Sequence, residues 1–134
     1  MPGEDTRVLL VEDSRGLRHT LADILRTTGM RVDTAADASE AFRLLARRRY
    51  DVAIVDLVLL PGPSGIEVIR QLKSNSPTTR VFACTAYTRG ELLADVRELG
   101  AEVIFKPVDP GQFVELIEKS AGPAPGEKPQ TPSR

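Results

Sequence analysis

Four short runs constrain this chain more than any other feature: RVLLV (residues 7 to 11), DVAIV (51 to 55), RVFAC (80 to 84) and EVIF (102 to 105). Each is rich in β-branched side chains and too short for a buried helix. Their apolar residues are continuous rather than alternating, the pattern of parallel strands covered on both faces. A fifth run, RVDTA (31 to 35), alternates and suits the edge of a sheet. Between the runs, apolar residues recur at helical spacing. Leu17, Leu21, Ile24 and Leu25 form one such stripe, and Ala38, Ala41, Phe42 and Leu45 a second. Ile66, Ile69 and Leu72 form a third, followed by Leu92, Val96 and Leu99, and by Phe113, Leu116 and Ile117. Each segment is about one amphipathic helix long. The pattern is a βα unit repeated five times, an α/β chain that right-handed crossovers fold into a parallel five-stranded sheet with helices on both faces.

The punctuation agrees. Ser64 with Glu67 and Thr88 with Glu91 have the spacing of a capping box, and Asp37 with Glu40 is a looser version. Gly29 and Gly100 stand where helices end in a left-handed residue, and Asp109-Pro110 reads as an N-cap followed by Pro at the first helical position. Residues 1 to 121 read as one domain. The segment GPAPGEKPQTPSR (122 to 134) has almost no apolar side chains and is expected to be a disordered Pro-rich tail.

Charge and composition remove several functions. The 18 basic and 19 acidic side chains nearly cancel, so no overall positive field holds the protein to nucleic acid. The single cysteine, Cys84, lies in an apolar run and reads as a buried side chain. There is no signal pattern at MPGEDTR and no apolar run of about 20 residues, so no membrane insertion is expected and the cytoplasm is the default compartment.

The chemistry is concentrated where strands end, the place where open α/β sheets bind ligands. Glu12-Asp13 follows the first run, Asp56 ends the third inside continuing apolar sequence, Thr85 follows the fourth and Lys106-Pro107 the fifth. An ionised carboxylate taken from water without a partner costs several kcal/mol. Three such groups gathered together exceed what Lys106 balances, and a divalent cation preferring hard oxygens, Mg²⁺, suits them. Zinc is disfavoured because no Cys/His cluster exists, and the only histidine, His19, is offset from its helix stripe and expected to face solvent.

Taken in order, VLLVEDS, VAIVDL, CTA and FKP resemble the receiver domain of two-component response regulators over roughly residues 6 to 120. The resemblance implies a flavodoxin-like fold with strand order 2-1-3-4-5. It implies that Asp56 is the phosphoacceptor, taking a phosphoryl group from a sensor histidine kinase or a histidine phosphotransfer protein. Mg²⁺ would be held by Asp13, Asp56, the backbone carbonyl of Val58 and, through water, Glu12. Lys106 would pair with Asp56 and then with the phosphoryl group, and Thr85 would be drawn toward it. That movement would alter a surface built from the fourth helix, fifth strand and fifth helix, signalling to a downstream protein.

Three departures from the family pattern are visible. Val103 stands where many receivers carry an aromatic, and Tyr87 is the expected substitute for the moving ring. LVLLPGPSG is one residue longer than the usual spacing between the acceptor and Gly65. Val58 and Tyr87 flank the phosphoryl position and should exclude water, predicting a long-lived phosphoryl group. With no output domain following residue 121, the expected roles are a stand-alone receiver, a relay shuttle or a phosphate sink. A magnesium-dependent phosphatase of the haloacid dehalogenase type would need a second Asp where Val58 stands. A flavodoxin-like electron carrier would not place two carboxylates in its phosphate loop. The remaining alternative is a phosphorylation-independent scaffold.

Overall fold

The computed structural model describes residues 6–59, 64–86 and 90–120. The strands are β1 (Arg7–Val11), β2 (Arg31–Ala35), β3 (Val52–Asp56), β4 (Arg80–Thr85) and β5 (Glu102–Phe105). The helices are α1 (Arg15–Thr27), α2 (Ala38–Leu45), α3 (Gly65–Asn75), α4 (Glu91–Glu98) and α5 (Pro110–Ser120). All strand pairs are parallel, in the order β2-β1-β3-β4-β5. The continuous apolar runs are explained by this arrangement, because alternate residues of each strand enter two different cores. Leu9, Val11, Ala53, Val55, Val81 and Ala83 pack with residues of α2, α3 and α4. Val8, Leu10, Val52, Ile54, Phe82 and Cys84 pack on the other face with α1 and α5. Among the described residues no helix is long and apolar enough to cross a membrane.

Two strands differ by one residue from the sequence runs, β3 at both ends and β4 at its last residue. Asp51 lies before β3 and uses its carboxylate to accept the Arg7 N–H at 2.9 Å. Asp56 falls inside β3, in register with Cys84, and Thr85 inside β4. The run at 102 to 105 is less covered than its sequence suggests. β5 is an edge strand with Glu102 and Phe105 exposed, and among the described residues no strand pairs beyond it.

Helix ends follow local chemistry, with corrections. Asp37 and Glu40 form the most complete cap: the Glu40 N–H donates to Asp37 Oδ1 at 2.9 Å, and Glu40 Oε1 accepts the Ala36 N–H at 2.6 Å. Ser64 occupies the N-cap position of α3 but its side chain makes no capping bond. The N-cap of α4 is Gly90, at φ +115°, rather than Thr88, which lies outside the described residues together with Tyr87. Residues 60–63 of the lengthened loop and the segment 122–134 also lie outside them. Gly29 and Gly100 adopt φ of +93° and +88°, as their C-terminal positions require. Asp109 caps α5 through the Gln112 N–H at 2.9 Å.

The tightest junction lies between α3 and the end of β3. The Gly65 N–H donates to the Leu57 carbonyl at 3.1 Å. A Cβ on Gly65 would stand 2.0 Å from the Asp56 carbonyl oxygen and 2.8 Å from the Leu57 Cα. Both obstacles are backbone atoms, one of the last residue of β3 and one of the residue that follows it, so neither can turn aside as a side chain would. Gly65→Ala is therefore expected to destabilise the protein by at least about 2 kcal/mol in urea unfolding, at the upper end of ordinary overpacking costs. A loss below about 0.5 kcal/mol would show that α3 withdraws freely from β3.

Candidate functional site

Four strands, β1, β3, β4 and β5, deliver the polar groups to one end of the sheet. Glu12 directly follows β1, and its N–H extends the ladder by donating to the Ala35 carbonyl at 3.0 Å. This pairing draws the Glu12 side chain inward, where only 1% of the residue is exposed. Asp13, one residue later, remains exposed. Asp56 is 4% exposed at the end of β3, with its Oδ1 accepting the Val58 N–H at 3.2 Å. Lys106 follows β5, and its N–H donates to the Thr85 carbonyl at 2.8 Å, tying it to the end of β4. The Lys106–Pro107 peptide is cis. Thr85 is buried.

The side chains converge. Carboxylate oxygens of Glu12, Asp13 and Asp56 lie within 4.8 Å of one another. Lys106 Nζ stands 3.3 Å from Glu12 and 3.4 Å from Asp56 Oδ2. Two like charges at such a separation repel by about 3–4 kcal/mol at an effective dielectric near 20, and three carboxylates make three pairs. The single ammonium leaves the cluster acidic. Burial, and then the Glu12 charge, push the Asp56 carboxyl up to about 7, although Lys106 and the Val58 N–H oppose the shift. Burial alone would lower Lys106, but the carboxylates of Glu12 and Asp56 outweigh it and hold the ammonium above the ordinary lysine range.

The donor set fits Mg²⁺. It consists of hard carboxylate oxygens, with Asp13 exposed on the open side where waters and phosphate oxygens can enter. His19 is exposed on α1, as its position off the helix stripe indicated. Val58 is placed two residues beyond Asp56 with an exposed side chain at the mouth of the site. Cys84 is buried opposite Asp56 in the ladder, and burial pushes its thiol up to about 12, so it is an inert neighbour.

Arg18 is a contributor that strand-end inspection does not find. Its Nη1 donates to the Glu12 carbonyl at 2.8 Å and reaches the Asp13 carbonyl at 3.5 Å. The Ser14 N–H donates to Glu12 Oε2 at 3.2 Å, and Ser14 is the N-cap of α1. One guanidinium thus fastens the backbone of the acidic pair to the first turns of α1. The available signal was an arginine five residues after Asp13 in the helix that begins there, close enough to reach back to the preceding turn.

These shifts fix a pH dependence for the metal-free protein. An acid whose pKa rises on folding destabilises the native state as pH climbs from its unfolded value, near 4, through its folded value, about 7, and the full penalty persists above that. In EDTA, Asp56→Asn is expected to stabilise the protein at pH 8 by on the order of 1–3 kcal/mol in urea unfolding. The gain should shrink toward zero as pH falls to about 4. A pH-independent difference would mean that Asp56 remains ionised throughout.

Comparison with known proteins agrees with this geometry. Residues 8–118 match the response regulator receiver domain family. A cyclic di-GMP phosphodiesterase of Thermotoga maritima is 40% identical over 103 residues, which cover 76% of this chain and 27% of that protein. The chain therefore spans about a quarter of that relative's length. Sporulation initiation phosphotransferase F of Bacillus subtilis is 29% identical over 114 residues, covering 84% of this chain and 91% of that one. The non-phosphorylated HemR receiver domain from Leptospira biflexa superposes with a TM-score of 0.82 at 29% identity, covering 95% of this chain and all of that one. The chain belongs to the receiver domain family of two-component response regulators.

Proposed function

We propose that Asp56 accepts a phosphoryl group from the phosphohistidine of a sensor histidine kinase or a histidine phosphotransfer protein. The observation that carries this reading is the convergence of Glu12, Asp13 and Asp56 with the Lys106 ammonium at one strand mouth. An Asp56 carboxylate oxygen attacks phosphorus; the P–O bond of an acyl phosphate forms as the P–N bond to the histidine breaks. Asp13, Asp56 and the Val58 carbonyl would hold Mg²⁺, with Glu12 linked to it through water. Bound there, the ion neutralises charge on the transferring oxygens. Lys106 holds the Asp56 carboxylate before transfer and moves to a phosphoryl oxygen afterwards. The Thr85 hydroxyl turns toward the new phosphoryl group and shifts a two-state surface around α4, β5 and α5 read by a downstream protein. On this reading the chain catalyses only its own phosphorylation and dephosphorylation.

Val103 favours a second reading, a scaffold that works without phosphorylation. It is partly buried against the core on the α4 face, and an aliphatic side chain there cannot exchange rotamers as a ring does. The intact acidic cluster supports the first reading, because a scaffold has no use for three carboxylates that repel one another.

One experiment separates them. Incubated with a small-molecule phosphodonor and Mg²⁺, the wild-type chain should gain one phosphoryl group by intact mass, and Asp56→Asn should gain none. An unmodified wild-type mass would leave the scaffold. Arg18→Ala should raise the Mg²⁺ concentration for half-maximal phosphorylation about 10-fold, as loss of a ligand-orienting contact does, with the rate at saturating Mg²⁺ little changed. An unaltered Mg²⁺ requirement would remove Arg18 from the site.

A further inference from the structure

The opposite end of the sheet carries a second concentration of charge, of the other sign. Strands β1, β2 and β4 each begin with an arginine, Arg7, Arg31 and Arg80, and Arg47, Arg48 and Arg49 precede β3. A cavity of about 260 Å³ opens there between the C-terminal ends of α2 and α3. Arg47, Arg48 and Arg49 line it together with Leu45, Tyr50 and Leu72, the last two largely buried beneath it. Gln71 and Asn75 add side-chain amides from α3, and no acidic side chain lines it.

The arginines exceed what a helix terminus needs. Arg43 already lies in the last turn of α2, where one cation complements the helix dipole. Arg48 is 3.5 Å from Asp33, which also accepts the Tyr50 hydroxyl at 2.6 Å. Arg47 and Arg49 form no ion pair among the described residues. The backbone is held at the start of this run: the N–H groups of Arg47 and Arg48 both donate to the Leu44 carbonyl, at 3.0 and 3.2 Å. The Tyr50 carbonyl is held by the Thr79 hydroxyl at 2.6 Å, and Thr79 is bonded to Ser76 at 2.7 Å. The result is a concave surface carrying two arginines that form no ion pair among the described residues.

We infer that this cavity binds a phosphate monoester of about mononucleotide size. Guanidinium forks match phosphate oxygens in pairs, and two of them balance a dianion. Leu45 and the aliphatic stems of the arginines provide contact for the organic body, and the volume of about 260 Å³ lies near the lower end of the usual range of about 300–1,000 Å³ for small-molecule sites, which suits a small ligand. β3 begins two residues after Tyr50 and ends at Asp56, and its four residue steps alone span about 13 Å, so this site is separate from the acidic one and does not depend on its proposed chemistry.

Adenosine monophosphate, inorganic phosphate and adenosine, each titrated into the ¹⁵N-labelled full chain in EDTA and followed by NMR, test the assignment. The nucleotide should give saturable shifts in the Gln71 and Asn75 side-chain amides and in residues 45 to 50, with inorganic phosphate weaker and adenosine without effect. Arg47→Gln combined with Arg49→Gln should weaken nucleotide binding at least 10-fold, and Asp56→Asn should leave it unchanged. Because both arginines are exposed, the double variant should keep its unfolding midpoint. If it does not, the wild-type shift map decides. Absence of saturation, shifts centred on Asp56, retained binding in a folded double variant, or equal binding of inorganic phosphate would each overturn the proposal.

Discussion

Mutual repulsion among three carboxylates, restrained by one ammonium, is the constraint around which this molecule is arranged. Glu12 and Asp56 are nearly inaccessible, and neither would remain there in a structure free to relax. They are held because each belongs to a strand whose other side chains fill two cores. Fully burying a single leucine, isoleucine or phenylalanine contributes roughly 1.5–3 kcal/mol, and Leu9, Leu10, Ile54, Phe82 and Phe113 are all buried to this degree. Apolar packing on both faces of the sheet therefore outweighs the local electrostatic cost at its end. The excess negative charge left there suits the site to a divalent cation with a preference for hard oxygens.

The site is rigid where it must be and open where ligands enter. β3 is flanked by β1 and β4, and α3 begins against its last residue so closely that only glycine fits at position 65. Arg18 ties the Glu12 and Asp13 carbonyls to α1, and the Lys106 N–H is bonded to the end of β4. Asp56, the acidic pair and the ammonium thus arise from segments fastened to one another through backbone. Asp13 and Val58, by contrast, are exposed at the mouth.

A net charge of −1 conceals a strong division of charge. Glu12, Asp13 and Asp56 gather at the carboxyl ends of the strands, and the arginines at the amino ends outnumber Asp51 and Glu102 beside them, so the near-cancellation hides an uneven distribution. Overall charge remains a fair guide to the absence of a general attraction for nucleic acid. It says nothing about local sites, where a few uncompensated side chains decide what binds.

The sequence by itself determined the order of elements, the parallel sheet and the identity of the strand-end residues. Periodicity and composition are local properties, and Leu, Val and Ile at those spacings leave one economical way to bury themselves. It also indicated Asp109 and Gly100 as helix boundaries, because capping depends on neighbours in the chain. Tertiary structure decided the rest. It made Glu12 buried and Asp13 exposed, a difference that two adjacent acids cannot express, since it depends on the hydrogen bond from Glu12 to Ala35 in another strand. It left Ser64 without a capping bond and gave the firmest cap to Asp37 and Glu40. It left β5 at an edge despite an apolar run, and brought Arg18 to the acidic loop. Each outcome depends on groups distant in sequence or on the direction a side chain takes in space, and neither is encoded in local spacing.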